Sequence, residues 1–241
     1  MIVRNSITKH LNEMKDKDFY PGVVVKSNIP KVKEYVPDAK CIFEIGANDG
    51  VDVIQIHEIW PDAEIHIFEM DPYHYKRLFR FMSEYIHVNF FGLYNFNGMS
   101  VFKRVVEPDR PWDESDYWIK SASSVKDMAG KHLQQRPISS ETIYSKVMTI
   151  DSYCNVFSCK PDIILMDTQG SEYEILEGAK NTLGYTKAVL TEWSTDELYK
   201  GIKVLSEIQS LMSSCNFTMK EKIDLWGDWH GDAIFVREGI V

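Results

Sequence analysis

From residue 41 onward, short apolar runs alternate with segments whose apolar residues recur at helical spacing. The runs near 41–45, 65–69, 87–91, 162–167 and 187–192 have strand length, and helical patterns separate most of them. Such alternation predicts an α/β fold: a mostly parallel central sheet with helices on both faces. Pro61-Asp62 closes the first of these helices. Asp71-Pro72 opens the second, with Pro72 at the first helical position, where its missing N–H does no harm. The buried face of that helix reads as Tyr75, Leu78, Phe79 and Met82. Asn97-Gly98, between apolar runs, predicts a hairpin within Phe90 to Val106. A helix near 198–214 and strands near 217–224 and 232–237 close the chain, the final strand antiparallel.

Two regions break the alternation. Residues 1–38 carry Pro21, Pro30 and Pro37 and read as a flank of short helices and loops. Residues 39–241 then form one domain. Within it, 107–145 is irregular, with Pro108, Pro111 and Pro137 and the aromatics Trp112, Tyr117 and Trp118. Long irregular inserts in compact domains are usually functional, so this one is expected to cover the active site.

Composition narrows the partners. The 241 residues are 44% hydrophobic and 26% charged, as in ordinary globular chains. The net charge is −9 and no Lys/Arg run interrupts it, so nucleic acid is not an expected partner. The N-terminus turns polar within a few residues and does not read as a signal peptide. No apolar stretch has the length of a membrane span. Cys154 and Cys159 lack the company of a zinc site, and Cys41 and Cys215 read as small core residues. A soluble, cytoplasmic protein is expected, and a homodimer is compatible with the sequence.

The candidate chemistry sits at the strand ends. Glu44-Ile45-Gly46-Ala47-Asn48-Asp49-Gly50 is a glycine turn between a strand and a helix, where a ligand can lie against backbone. Glu69 ends the next strand, where an acid accepts hydrogen bonds from ribose hydroxyls. A later apolar strand, Asp162 to Met166, delivers Asp167 to its end. Asp167 is followed by Thr168-Gln169-Gly170-Ser171-Glu172, where Ser171 or Thr168 is placed to cap a helix and Glu172 to lie in its first turn.

These segments resemble the FkbM family of S-adenosylmethionine-dependent methyltransferases, of the Rossmann-like class. The resemblance rests on FEIGANDG at 43–50, FEMDP at 68–72, SASSV at 121–125, VMTIDSY at 147–153 and DIILMDTQGSEYEILEGA at 162–179. LTEW at 190–193 and DAIFVR at 232–237 extend it. One departure is Leu165, where the family commonly carries a lysine. The resemblance implies S-adenosylmethionine over the strand tips: Gly46 and Gly50 admitting its methionine part, with Glu44, Ala47 and Asn48 nearby. Glu69 would hold the ribose with Met70 beside the adenine, Gly92 and Leu93 would border the base, and Asp167 would face the sulfonium side.

Methyl transfer to a sugar hydroxyl needs alignment and removal of a proton. Asp167 and Glu192 end adjacent predicted strands and could hold a divalent cation such as Mg or Mn. His230 is the alternative base. Tyr117, Trp118, Trp226 and Trp229 offer aromatic faces to a carbohydrate or glycosylated small-molecule acceptor, and Ser123, Ser124 and Gln169 are further substrate candidates. The expected activity is O-methylation of a sugar hydroxyl. The alternatives are an NAD-dependent oxidoreductase or epimerase, although no Tyr-x-x-x-Lys pair is present, and a non-catalytic binding member of the same fold.

Overall fold

Every residue of the first strand, Cys41–Ile45 (β1), is buried. A strand apolar on both faces needs cover on both, and the chain supplies it. In the computed structural model, which describes residues 27–106, 122–129, 139–225 and 227–239, a seven-stranded sheet has the order β3-β2-β1-β7-β8-β10-β9. Here β2 is Glu64–Phe68, β3 Ile86–Asn89, β7 Ile163–Met166, β8 Ala188–Ser194, β9 Phe217–Asp224 and β10 His230–Arg237. The first five strands in that order run parallel, and β10 is antiparallel to both neighbours.

Two hydrophobic cores flank the sheet. On one face α1 (Ile29–Tyr35), α2 (Val51–Ile59) and α3 (Pro72–Leu78) contribute Ile29, Val32, Val53, Ile56 and Leu78. On the other, α4 (Ile150–Phe157), α5 (Glu172–Glu177) and α6 (Leu205–Ser214) contribute Ile150, Tyr153, Leu176, Ile208 and Met212. Alternation along β1 divides its side chains between them: Ile42 to the first, Cys41, Phe43 and Ile45 to the second. The described part of the flank, α1, is tied to the last two strands. Lys31 and Tyr35 bond Glu221 at 3.1 and 3.2 Å, and Asn28 donates to Asp232 at 2.7 Å.

Four sequence expectations need correction. Asn97-Gly98 is not the turn of a hairpin. The segments on either side, β4 (Gly92–Leu93) and β5 (Gly98–Val105), do not pair with each other. Both pair with β6 (Ser140–Met148), giving a second sheet of order β4-β6-β5. Residues 140–145, read as part of the irregular insert, thus belong to a nine-residue strand. The face of α3 is also shifted. The helix tightens into a 3-10 turn at Phe79–Phe81, so Leu78 and Phe81 point inward while Phe79 and Met82 are exposed. Finally, the last long helix begins at Leu205, seven residues after the expected start.

Strand order reverses between β1 and β7: the chain winds outward through β2 and β3, then returns to the other side of β1. At such a switch point the connections leave in opposite directions and open a crevice beyond the carboxyl ends of the strands.

Candidate active site

The turn after β1 is built to keep that crevice open. The Gly46 N–H donates to the Phe68 carbonyl at 2.9 Å, while Asp167 N–H donates to the Ile45 carbonyl at 3.1 Å. Gly46 has φ +85°, and a Cβ there would collide with the Asp167 carbonyl oxygen. Only glycine meets both demands cheaply. Asn48 follows at φ 48°, a left-handed conformation that Asn tolerates well.

The crevice is open to solvent and, counting that open space, spans about 600 Å³. Gly46, Asn48, Glu69, Met70, Gly92, Leu93 and Asp167 line it, together with Ser123 and Gln169. Gly92 lets Met70 lie flat on its backbone, since a Cβ would strike the thioether. Glu44, Ala47 and Gly50 do not line it. Glu44 is buried on the α2 face of the sheet near Asp52, and Gly50 makes room for Leu78 and Phe81. The sequence missed His74, Asp71, Phe102 and Ile175, which complete the wall.

Glu69 is buried at the mouth of β2. Its Oε2 accepts the Asn48 N–H at 2.9 Å and its Oε1 the Asp71 N–H at 2.7 Å. Burial outweighs these bonds and pushes its pKa up to about 7. Asp71 caps α3 by accepting the Tyr73 N–H at 2.8 Å. It also binds Arg104 of β5, whose Nε stands 3.1 Å from each carboxylate oxygen. The second sheet is thereby latched to the crevice. Asn48 Oδ1, His74 Nδ1 and Ser171 Oγ are buried around it with no hydrogen-bond partner in the described protein. Such orphans are costly unless a ligand satisfies them.

On the far wall, Asp167 is exposed toward the open space, with protein packed around its base. Glu192 lies beside it, close enough for the two charges to interact. Desolvation, and then the like charge of Glu192, raise the Asp167 pKa well above the usual carboxylate range. Desolvation with the charge of Glu172 raises Glu192 to about 8. Gln169 bridges the pair, its Nε2 lying 2.7 Å from Asp167 Oδ1 and 3.2 Å from Glu192 Oε2. Its Oε1 accepts a 2.6 Å bond from the Tyr199 hydroxyl. His230 stands behind, with Nε2 3.4 Å from Glu192 Oε1 and Nδ1 3.0 Å from the Trp193 carbonyl oxygen. Asp167, Glu192, Gln169 and His230 thus form one connected row.

This row separates the first crevice from a second of about 420 Å³, lined by Gln169, Glu192, Trp193, Leu198, Tyr199 and His230 among others. Trp229 stacks beside His230 with ring centroids 5.8 Å apart. Ser124 is buried behind the wall and supports it, donating to the Gln169 carbonyl at 2.7 Å. Neither Ser171 nor Thr168 caps α5 with its side chain. Instead the Glu172 carboxylate folds back and accepts from Thr168 N–H, Thr168 Oγ1 and Gly170 N–H at 3.0–3.1 Å, holding the turn that carries Gln169. Tyr117, Trp118 and Trp226 lie outside the described residues.

A family model described as the methyltransferase FkbM domain matches residues 44–219. The chain belongs to this family. The FkbM chain is also 30% identical over 181 residues to the 2-O-methyltransferase NoeI of Sinorhizobium fredii (strain NBRC 101917 / NGR234), covering 72% of this chain and 71% of that one. Its fold resembles the crystal structure of methyltransferase FkbM from Methylobacillus flagellatus KT. That match has a TM-score of 0.50 at 13% identity and covers 83% of this chain and 44% of the other, so the chain spans less than half of that relative. The N-terminal domain of EvdMO1, solved with SAH bound, matches at TM-score 0.50 and 9% identity, covering 97% and 96%. Family and fold are those of S-adenosylmethionine-dependent methyltransferases. Among the described residues, no helix is long and apolar enough to cross a membrane.

Proposed function

We propose that this FkbM methyltransferase transfers a methyl group from S-adenosylmethionine to a sugar hydroxyl, with the Asp167–Glu192 pair as proton acceptor. The observation that carries this reading is the position of that pair, which forms the wall between two crevices. One crevice has the shape and the orphaned polar atoms of a nucleoside site. The other is smaller and lined by Trp193, Tyr199 and His230.

The residues of the first crevice fit the cofactor. Glu69 keeps lone pairs free for ribose hydroxyls while its backbone partners fix its rotamer. Met70, Leu93 and Phe102 offer apolar surface to a base. When bound, S-adenosylmethionine supplies an electrophilic methyl group on a sulfonium centre. What remains for the protein is to orient an acceptor oxygen and take its proton.

Burial and neighbouring like charges raise both carboxyl groups, and Glu192 gives up its proton only near pH 8. The ionised partner is then a base whose strength is raised by its surroundings, in reach of both crevices. His230, against Glu192, can relay the proton outward. A divalent cation between Asp167 and Glu192 does not fit this arrangement, since the Gln169 amide nitrogen takes the bridging position. No step is assigned to a metal there.

The acceptor class follows from the relative named a 2-O-methyltransferase, from the aromatic lining and from the net charge of −9, which disfavours phosphorylated acceptors. The test is calorimetry with S-adenosylhomocysteine and with NAD, followed by transfer of labelled methyl to a panel of glycosides and their 2-deoxy forms. Binding of the first nucleoside alone and label on glycosides bearing a free 2-hydroxyl are expected. Binding without label on any glycoside would leave a non-catalytic member. Label on nitrogen or carboxylate acceptors would refute the acceptor class.

A further inference from the structure

At the opposite edge of the sheet, the first residue of β2 begins a second constellation. Glu64 and His66 are two apart on that strand and so share a face. His87 of β3 is paired in register with His66, and the two imidazoles stack with centroids 4.6 Å apart. The Glu64 Oε1 atom lies 3.2 Å from His66 Nε2 and 2.7 Å from His87 Nε2. Neither ring nitrogen is aligned to hydrogen-bond that oxygen, and His66 is buried at 3% exposure.

The tautomer of His66 can be worked out from its other side. Asn89 donates from Nδ2 to the Ile67 carbonyl at 3.0 Å, which turns its Oδ1 toward Tyr153. The Tyr153 hydroxyl donates to that oxygen at 3.4 Å and lies 2.8 Å from His66 Nδ1. In the tautomer where the hydroxyl gives its proton to Asn89, it accepts from His66, so Nδ1 carries the hydrogen and Nε2 a lone pair. That lone pair and a carboxylate oxygen then converge without a proton between them. The same relay, a hydroxyl fixing one imidazole nitrogen so that the other is free, is how metal-bound histidines are oriented.

We propose that Glu64, His66 and His87 bind a divalent transition-metal ion of the zinc type, clamping edge strand β3 to β2. The three ligand atoms all lie within 4.8 Å of one another. Tetrahedral bonds of about 2.0–2.1 Å place neighbouring ligand atoms about 3.3 Å apart; the Glu64–His66 spacing of 3.2 Å matches this, and the Glu64–His87 spacing of 2.7 Å would widen on binding. Two imidazoles and one carboxylate suit zinc, nickel or copper over magnesium or calcium. The site stands at the amino end of β2, whereas Glu69 and the crevice stand at its carboxyl end, so its role is structural and separate from methyl transfer.

The full-length protein, stripped with chelator, is titrated with Co²⁺ as a spectroscopic stand-in. One equivalent bound with intense visible bands of tetrahedral type is expected. His87→Ala, at a side chain 39% exposed, should abolish the bands without changing the circular dichroism. Tyr153→Phe should weaken binding about 10–100-fold by releasing the His66 ring. Absence of bound Co²⁺ would overturn the proposal. So would bands that survive both His87→Ala and Glu64→Gln, or bands lost only in Asp167→Asn.

Discussion

Tyr199 donates a 2.6 Å hydrogen bond to Gln169 Oε1, and this bond decides which way the Gln169 amide faces. With its oxygen held by the tyrosine, the amide presents its nitrogen to Asp167 and Glu192. Tyr199→Phe leaves the amide free to rotate and set its oxygen against the carboxylates. One hydrogen bond of about 1–1.5 kcal/mol corresponds to roughly a tenfold change in rate. The expected outcome is a kcat lower by about tenfold with unchanged affinity for S-adenosylhomocysteine, read by steady-state kinetics and calorimetry. Equal loss in both would place Tyr199 in cofactor binding instead.

The carboxyl pair predicts a pH profile. A base must be deprotonated to act, and Glu192 releases its proton near pH 8. Turnover is therefore expected to rise through neutrality with a midpoint near pH 8 and to level off about a unit above it. Glu192→Gln removes the like charge that raises Asp167. The rising limb should then move to lower pH while kcat falls about 10²-fold or more. A profile whose limb stays in place in this variant would assign it to another group.

Buried acids also set how stability varies with pH. Glu69 and Asp52 titrate near 7 and Glu192 near 8, all above their unfolded values of 4.5, 3.8 and 4.5. The folded state thus binds more protons than the unfolded state between those limits. Stability from these groups is fully present below about pH 4 and is lost as pH rises through 7 to 8. Thermal melts of the ligand-free protein should show Tm falling across pH 5 to 8. A Tm that rises over this range would contradict the burial of these carboxyls.

Gly46 carries a simpler test. Alanine there must adopt φ +85° against the backbone of Asp167. The conformational penalty alone is roughly 1–2 kcal/mol, and the collision adds to it. Gly46→Ala should lower Tm by at least about 4 °C and abolish binding of S-adenosylhomocysteine. Gly184→Ala, where nothing lies within 4 Å of the added methyl, is the control.

Sequence reading succeeded where the signal is local. The apolar runs became the strands β1, β2, β3, β7 and β8 because parallel strands covered by helices are mostly apolar, with Glu44 and His66 among the exceptions. Asp71-Pro72 opened α3 as expected, since capping and proline geometry act within a few residues. Failures arose where distant segments decide. Asn97-Gly98 has the chemistry of a tight turn, but β5 found its partner in β6, beyond the insert. Glu44 stands on a strand where alternation turns it to the α2 face and away from the crevice. Tyr199 carried no signal, because it lies in an irregular segment whose place beside Gln169 is set by tertiary contacts. The row of Asp167, Glu192 and His230 was legible as separate strand ends. The amide joining the first two was legible only as a substrate candidate.

The pairing of β5 with β6 has an evolutionary consequence. Val105 and Ser140 stand opposite each other on adjacent strands, so the stretch between them departs and rejoins at a single rung. Within it, 122–129 is held to the site, Ser124 on the Gln169 carbonyl and Ser123 on the Val105 N–H; the sections on either side can lengthen, shorten or be exchanged at little cost, since closure entropy grows only slowly with length. Relatives with altered acceptor preference can therefore be sought among chains differing between those two residues, and such stretches could be transplanted as interchangeable cassettes.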